Sequence, residues 1–405
     1  NNKVEIQPVE LAGESAEKKL ALIRKALRCL HTDGMLMSAL DDVAWTLNLR
    51  GRDVHCNPVF LSYLLIAPER ATLFIDRRKL TPEVERYLSS VGVGVEEYAA
   101  VGKGLKDYFS YNILMDPKET GEVMPGYVDK HVKVVYADSP VPAMKAVKTD
   151  AEIKGFKAAM LRDGVAMVKF LRWLQPAVEA GGQTEMSVDR KLTELRAEQK
   201  RFRDISFDTI AGYGPHGAIV HYEASPETDV ELRPEGFLLL DSGAQYQDGT
   251  TDITRTIPLG PLTDEQCRIY TLVLKGHIRL AMAKFPDGAC GTQLDALARE
   301  PMWREGLNYL HGTGHGVGSY LNVHEGPHQI RMEYIPAPLR AGMTVTDEPG
   351  LYLQGKFGVR IENTMLVTHY TKGEFGDFLQ LAPLTLCPIS TTPIVLSMMT
   401  QEELA

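Results

Sequence analysis

Apolar positions recur at helical spacing early in the chain. Leu20, Ile23, Leu27 and Leu30 fall on one face, which predicts a helix over 15–31 that stops at Asp33-Gly34. Asp41 to Leu49 reads as a short second helix. The pattern then changes period. Phe60 to Ile66 and Ala71 to Ile75 are apolar runs joined by Ala67-Pro68-Glu69-Arg70, as adjacent strands would be. Val132 to Val135 reads as one more strand. These elements make an α/β region of modest size. Ala137 to Pro142 is turn-rich and cannot continue a helix, so it marks a boundary. Beyond it, Thr149-Asp150-Ala151-Glu152 is a capping box that opens a long helix through about Leu174. Another helix is predicted from about Met186 to Lys200. From Phe207 onward short apolar runs alternate with Gly and Pro, among them Phe237 to Leu240, Thr344 to Thr346 and Asn363 to Val367. One helix over 265–284 interrupts them. The second region is therefore expected to be α+β, with helices on a largely antiparallel sheet. No repeat and no low-complexity tract is present.

Composition narrows the function classes. The 405 residues leave room for two or three domains, and 44% hydrophobic with 24% charged residues disfavours disorder. Lys plus Arg number 44 against 53 Asp plus Glu, a net charge of −9. Nucleic acids and anionic membranes both need a basic footprint, so neither is an expected partner. No apolar run approaches the roughly eighteen residues of a membrane span, and no signal-peptide pattern opens the sequence. The five cysteines are odd in number and form no CxxC pair, which predicts free thiols, mostly core filler, in a reducing compartment. The chain starts at Asn1 rather than Met, and Thr400 to Glu403 is a capping box with no helix expected after it. A cut end and a frayed tail account for this equally well.

The candidate chemistry lies in the second region. Phe237 to Leu240 ends in Asp241, and Asp252 follows eleven residues later. A carboxylate that ends an apolar strand needs its charge compensated, and a metal would do so. For a lone Asp, a turn cap is the competing account. His311-Gly312-Thr313-Gly314-His315-Gly316-Val317-Gly318 is less ordinary. Its glycine content rules against a zinc-binding helix despite the histidine spacing, and a phosphate loop would need a GK[ST] that is missing. An extended segment that brings backbone close to a metal and a substrate fits. His221, His324, Glu348 and Glu362 each read singly as ordinary histidines and strand-end glutamates. As a set, four carboxylates and one imidazole could bind two divalent ions about 3.5–4 Å apart, which generate hydroxide and clamp a transition state. The oxygen-rich set favours Mn(II), with Fe, Co or Zn as alternatives.

These runs, together with Asp41 to Gly51 (DDVAWTLNLRG) and Asn57-Pro58-Val59-Phe60, resemble the creatinase/aminopeptidase "pita-bread" metallopeptidases. Within them the chain is most similar to the long, multidomain Xaa-Pro aminopeptidases (aminopeptidase P). The resemblance covers essentially the whole chain. It implies a creatinase-type α/β domain over 1–143 and an α+β pita-bread catalytic domain over 144–405. It also implies that a further N-terminal domain and a C-terminal segment are absent from this sequence. Residue by residue, Asp241, Asp252, His315, Glu348 and Glu362 match the family's metal ligands, with Asp252 and Glu362 bridging the ions. Glu348 matches the general base, and His221, His311 and His324 match the active-site histidines. Arg360 either supports a ligand from behind or makes an ordinary ion pair.

The resemblance implies hydrolysis of the bond between an N-terminal residue and a penultimate proline by a hydroxide bridging two metal ions. Glu348 would pass the proton to the proline nitrogen, and His311 or His324 would hydrogen-bond the scissile carbonyl. Proline would fit a small apolar pocket. A homodimer and a cytoplasmic location are implied as well. The alternatives are a prolidase (Xaa-Pro dipeptidase), which shares the ligands, and a non-catalytic peptide-binding module of the same fold. A methionine aminopeptidase would leave the N-terminal domain unexplained, and a metal-free creatinase-like hydrolase would not need all five ligands. Tyr320 and Leu321, beside the histidines, are expected in the core rather than in the pocket.

Overall fold

The computed structural model describes residues 2–405. They fall into two compact units. The first runs to Lys145 and includes Thr149–Glu152, and the second comprises Ala146–Lys148 with Ile153–Ala405.

The first unit is a six-stranded mixed sheet. Its spatial order is Val93–Glu96, Ala71–Ile75, Ser62–Ile66, Met35–Met37, Asn112–Met115 and Lys133–Tyr136. The expected strand pair is an antiparallel hairpin in which Ser62 opposes Ile75, closed by the Ala67 N–H on the Arg70 carbonyl at 2.8 Å. The first helix is Ala16–Cys29. Ser15 caps it, and Leu20, Ile23 and Leu27 are buried while Leu30 is exposed. The second helix is Leu40–Leu47 and ends because Asn48 adopts a left-handed φ of 50°.

In the second unit the helix Asp150–Ala180 outruns its expected end and passes through Pro176. Leu174 and Val178, on either side of that proline, are buried in one cluster with Val188 and Leu192 of the helix Glu185–Ala197. Tertiary packing there outweighs the lost hydrogen bond. The third expected helix is Asp264–Ala281, and Lys284–Pro286 is instead an edge strand. A helix the pattern did not predict, Gly291–Trp303, contains Pro301. It opens on glycine because a Cβ at Gly291 would lie 1.8 Å from the Gln329 carbonyl oxygen.

The strands pair antiparallel, as expected, but in several small sheets. Phe237–Ser242 is central between Ile210–Tyr213 and Ile253–Pro258. Gly314–Gly316 pairs with Glu325–Ile330, and Thr344–Asp347 pairs with Asn363–Gly373.

The capping box at Thr400 does open a helix, the single turn Gln401–Leu404. Glu403 anchors it on Lys275 at 2.7 Å and on Arg279 at 2.8 Å. None of the five cysteines is in a disulfide, and only Cys387 packs against a core cluster: Cys29 is exposed and the other four are half-buried. Tyr320 and Leu321 are buried. No helix of the described residues is long and apolar enough to cross a membrane.

Candidate metal centre

Four sequence-distant side chains, Asp241, Asp252, His315 and Glu348, line one cavity, and a fifth, Glu362, is buried within reach of them. Asp241 lies in the central strand Phe237–Ser242, opposite Thr254. Glu362 is brought alongside by an isolated bridge to Thr254: the Glu362 N–H meets the Thr254 carbonyl at 3.1 Å, and Thr254 Oγ1 donates to Glu362 Oε2 at 2.8 Å. Asp252 lies just before the strand Ile253–Pro258, and its carbonyl accepts from Thr364 Oγ1 at 3.0 Å. His315 sits on the glycine-rich strand. That strand approaches its neighbour at backbone distance, since a Cβ at Gly314 would lie 2.0 Å from the Thr346 carbonyl oxygen. Glu348 follows the strand Thr344–Asp347; its N–H donates to the Thr313 carbonyl at 2.8 Å, and Thr346 Oγ1 donates to Glu348 Oε1 at 3.0 Å.

Donor atoms of Asp241, Asp252 and Glu362 all lie within 4.8 Å of one another, and so do those of His315, Glu348 and Glu362. Glu362 is common to both groups. Asp252, His315 and His324 form a third. His315 Nδ1 is engaged with the Gly316 carbonyl at 2.7 Å. Its Nε2 therefore faces Asp252 Oδ2 at 3.3 Å and Glu348 Oε1 at 3.2 Å.

The carboxylates are electrostatically crowded. Burial pushes Asp241 up to about 7; Arg360 opposes this, while Asp252 and Glu348 add to it. Burial also drives Glu362 well above the carboxylate range, with Asp252, Glu348 and Asp241 adding to the shift. Glu348 resists the same burial because His315 hydrogen-bonds it, and it is held at about 2. Asp241 Oδ1 and Glu362 Oε1 are buried with no hydrogen-bond partner among the described residues. Buried anionic oxygens without a partner are costly. Divalent cations are the charge that this donor set fits.

The histidines differ in their engagement. Both nitrogens of His311 are occupied, Nδ1 by the Gly312 carbonyl at 2.7 Å and Nε2 by the Tyr352 hydroxyl at 2.7 Å. Burial keeps the ring neutral by lowering its pKa. His324 stands edge-on to His315 with ring centres 4.5 Å apart. His221 lines the same cavity. The segment that carries His221 is pinned by a residue the sequence reading missed. The buried Glu185 accepts from the Tyr213 N–H at 2.9 Å and the Tyr222 hydroxyl at 2.7 Å, and it meets His216 Nδ1 at 2.8 Å. Arg360 is buried and donates to Asp241 Oδ2 at 2.8 Å and to the Tyr352 hydroxyl at 2.8 Å. It therefore supports a candidate ligand from behind.

The cavity holds about 300 Å³. Phe207, Ile210 and Val220 form an apolar wall beside the acidic groups. Gln329 and Arg331 also line it, and neither was singled out from sequence. Gln329 lies directly across the strand pair from His315, and the Arg331 Cβ would be 3.8 Å from a Cβ at Gly312. Arg331 donates to Gln329 at 3.0 Å and pairs with the exposed Glu333 at 2.6 Å.

The pattern of Metallopeptidase family M24 matches residues 154–369, and that of the Creatinase/Prolidase N-terminal domain matches residues 1–152. A probable Xaa-Pro aminopeptidase P of Paracoccidioides brasiliensis is 41% identical over 96% of this chain and 66% of its own length. Aminopeptidase P1 of Lotus japonicus is 38% identical over 100% of this chain and 71% of its own. The chain thus spans about two thirds of the length of these curated relatives. Among solved structures, an X-prolyl aminopeptidase from Caenorhabditis elegans, described as cytosolic with a di-nuclear active site, superposes with a TM-score of 0.92. It is 36% identical over 99% of this chain and 67% of that one. A Xaa-Pro dipeptidase from Bacillus anthracis gives a TM-score of 0.74 at 26% identity, over 93% and 99% of the two chains.

Proposed function

Because the chain belongs to metallopeptidase family M24, with a Creatinase/Prolidase N-terminal domain ahead of the family's catalytic part, we propose that it acts as a metal-dependent Xaa-Pro aminopeptidase. It hydrolyses the bond between an N-terminal residue and a penultimate proline. The observation that carries the reading is the convergence of four carboxylates and one imidazole, with a buried, unpartnered oxygen on both Asp241 and Glu362.

Asp241, Asp252, His315, Glu348 and Glu362 would hold two divalent ions; the oxygen-rich set favours Mn(II) over Zn, Co or Fe. When bound, such ions supply Lewis acidity, which makes water nucleophilic at neutral pH and polarises the scissile carbonyl. Glu348, anionic at neutral pH, takes the proton of the attacking water and passes it to the proline nitrogen, which carries no hydrogen and must be protonated to leave. His324 donates to the developing oxyanion. His221 orients the peptide, and His311, held at both nitrogens, forms a fixed wall. The ring of proline packs on Phe207, Ile210 and Val220. Arg360 opposes the burial that raises the Asp241 pKa and aims its carboxylate. A cytoplasmic homodimer with a further N-terminal domain belongs to the same reading.

One observation favours a second reading. The guanidinium of Arg331, at the cavity wall beside the histidine strand, suits a free peptide carboxylate, as a Xaa-Pro dipeptide presents one residue beyond the cleaved bond. Hydrolysis of Arg-Pro-Pro, Ala-Pro and Ala-Ala-Ala with added Mn(II) and then with chelator separates the two. Release of arginine from the tripeptide, abolished by chelator, supports the aminopeptidase. Cleavage of the dipeptide alone supports the dipeptidase, and no turnover of any peptide overturns both.

A further inference from the structure

The helix Gly291–Trp303 carries two charged residues one turn apart, Asp295 and Arg299, each 2% exposed. Neither lines the cavity. Arg299 Nε donates to Asp295 Oδ2 at 2.7 Å. Its other nitrogens leave the helix: Nη1 donates to Asn308 Oδ1 at 3.0 Å and to the Tyr309 carbonyl at 2.5 Å, and Nη2 donates to the His311 carbonyl at 2.9 Å. The guanidinium lies 3.8 Å from the centre of the Tyr309 ring. Asp295 Oδ1 accepts from Thr313 Oγ1 at 2.5 Å, and the hydroxyls of Thr313 and Tyr309 are also 2.5 Å apart. Residues 308, 309, 311 and 313 are therefore all held by two side chains that do not line the cavity.

That segment has no regular structure of its own before the strand Gly314–Gly316. A loop that contains Gly312 cannot fix the direction of an imidazole unaided. A buried ion pair is a poor stabiliser, because apolar residues of equal volume do as well. What the guanidinium supplies is direction, since its planar fork reaches several acceptors at fixed angles. We propose that Arg299, oriented by Asp295, is a positioning residue that acts through His311, fixing that imidazole at the cavity wall. Its catalytic consequence rests on the aminopeptidase reading.

The test compares Arg299→Met, Arg299→Lys, His311→Ala and the Arg299→Met/His311→Ala double variant on Ala-Pro-Pro with Mn(II). Arg299→Met is expected to lower kcat by about 10- to 100-fold, as a small misplacement of a substrate-positioning wall does. KM and bound metal should stay unchanged, because all five candidate ligands lie elsewhere. In the His311→Ala background the same change should cost about twofold or less. Arg299→Lys keeps the charge without the fork and should recover only part of the loss. Multiplying losses, a loss that follows metal content, or full activity in Arg299→Met would each overturn the proposal. Should Arg299→Met fail to fold, Arg299→Lys carries the test together with nitrogen NMR of histidine-labelled, metal-free protein. The wild type should show His311 as one Nδ1–H tautomer, and the variant should shift or broaden that signal. An unchanged signal overturns the proposal. If the wild type cleaves no Xaa-Pro peptide the activity reading fails, while the imidazole signal still decides the clamp.

Discussion

The hydroxyl of Tyr352 lies 2.7 Å from Nε2 of His311. The same oxygen accepts from Arg360 Nη1 at 2.8 Å, and Arg360 in turn holds Asp241. Because His311 Nδ1 is occupied by a carbonyl, its Nε2 must accept, so Tyr352 donates to the ring while it accepts from the guanidinium. One phenol thus ties a histidine at the cavity wall to the support of a candidate metal ligand.

Tyr352→Phe should fold, since only a hydroxyl is removed. It leaves a buried ring nitrogen and a guanidinium N–H without a partner, at about 1–3 kcal/mol. Turnover is expected to fall about tenfold with metal content retained. Wild-type kcat in that variant would remove the chain from Tyr352 to Asp241 from the account.

Glu348→Gln should bind metal poorly and lose at least about 100-fold in turnover, the size of a general acid–base contribution. Chelating the wild type should lower its melting temperature, and Mn(II) should restore it, because ligands that bind only the folded state stabilise it. A chelator-insensitive melting temperature together with an active Glu348→Gln would refute the metal centre.

In the first unit, Lys19 is 2% exposed and donates to the Trp45 carbonyl at 2.9 Å and to Asn48 Oδ1 at 2.7 Å. Burial lowers its pKa from 10.5 to about 7. Between these values the unfolded chain holds a proton that the folded unit lacks, so stability should rise with pH from 7 toward 10. Hydrogen exchange of the helix Ala16–Cys29 across that range reads the slope, and Lys19→Met should flatten it.

Arg196 and Asp163 are paired in the second unit at 2.9 Å, both buried, and Asp163 also accepts from the Tyr246 hydroxyl at 2.9 Å. Arg196→Met should destabilise the unit by about 3–5 kcal/mol in denaturant titration, because it strands the carboxylate. The double change Asp163→Leu/Arg196→Met should recover most of that loss. Equal midpoints for the single variant and the wild type would argue against the pair.

The candidate metal ligands were legible because few residue types serve that chemistry and because a histidine strand with alternate glycines has few other uses. Asp241 was conspicuous as a charge at the end of an apolar run. Tyr352, Glu185, Asp295 and Arg299 were not legible. Each is an ordinary residue at an ordinary position, and its role exists only once a partner far along the chain arrives. The helix Gly291–Trp303 escaped detection because it begins on glycine and contains proline, and what forces the glycine is the Gln329 carbonyl on another strand. The end of the long helix was placed too early, at about Leu174: the helix runs on through Pro176, and Val178 beyond it is buried.

The grip of Thr254 on Glu362 joins residues 108 positions apart. No local segment can assemble this centre, because Asp241 and Glu362 come within reach of each other only after the intervening strands are in place. While the polypeptide is being synthesised, its acidic groups are therefore isolated, solvated carboxylates with little claim on a cation. On the metallopeptidase reading, metal capture would have to follow tertiary folding of the second unit, so the ions would reward a finished fold and could not nucleate one.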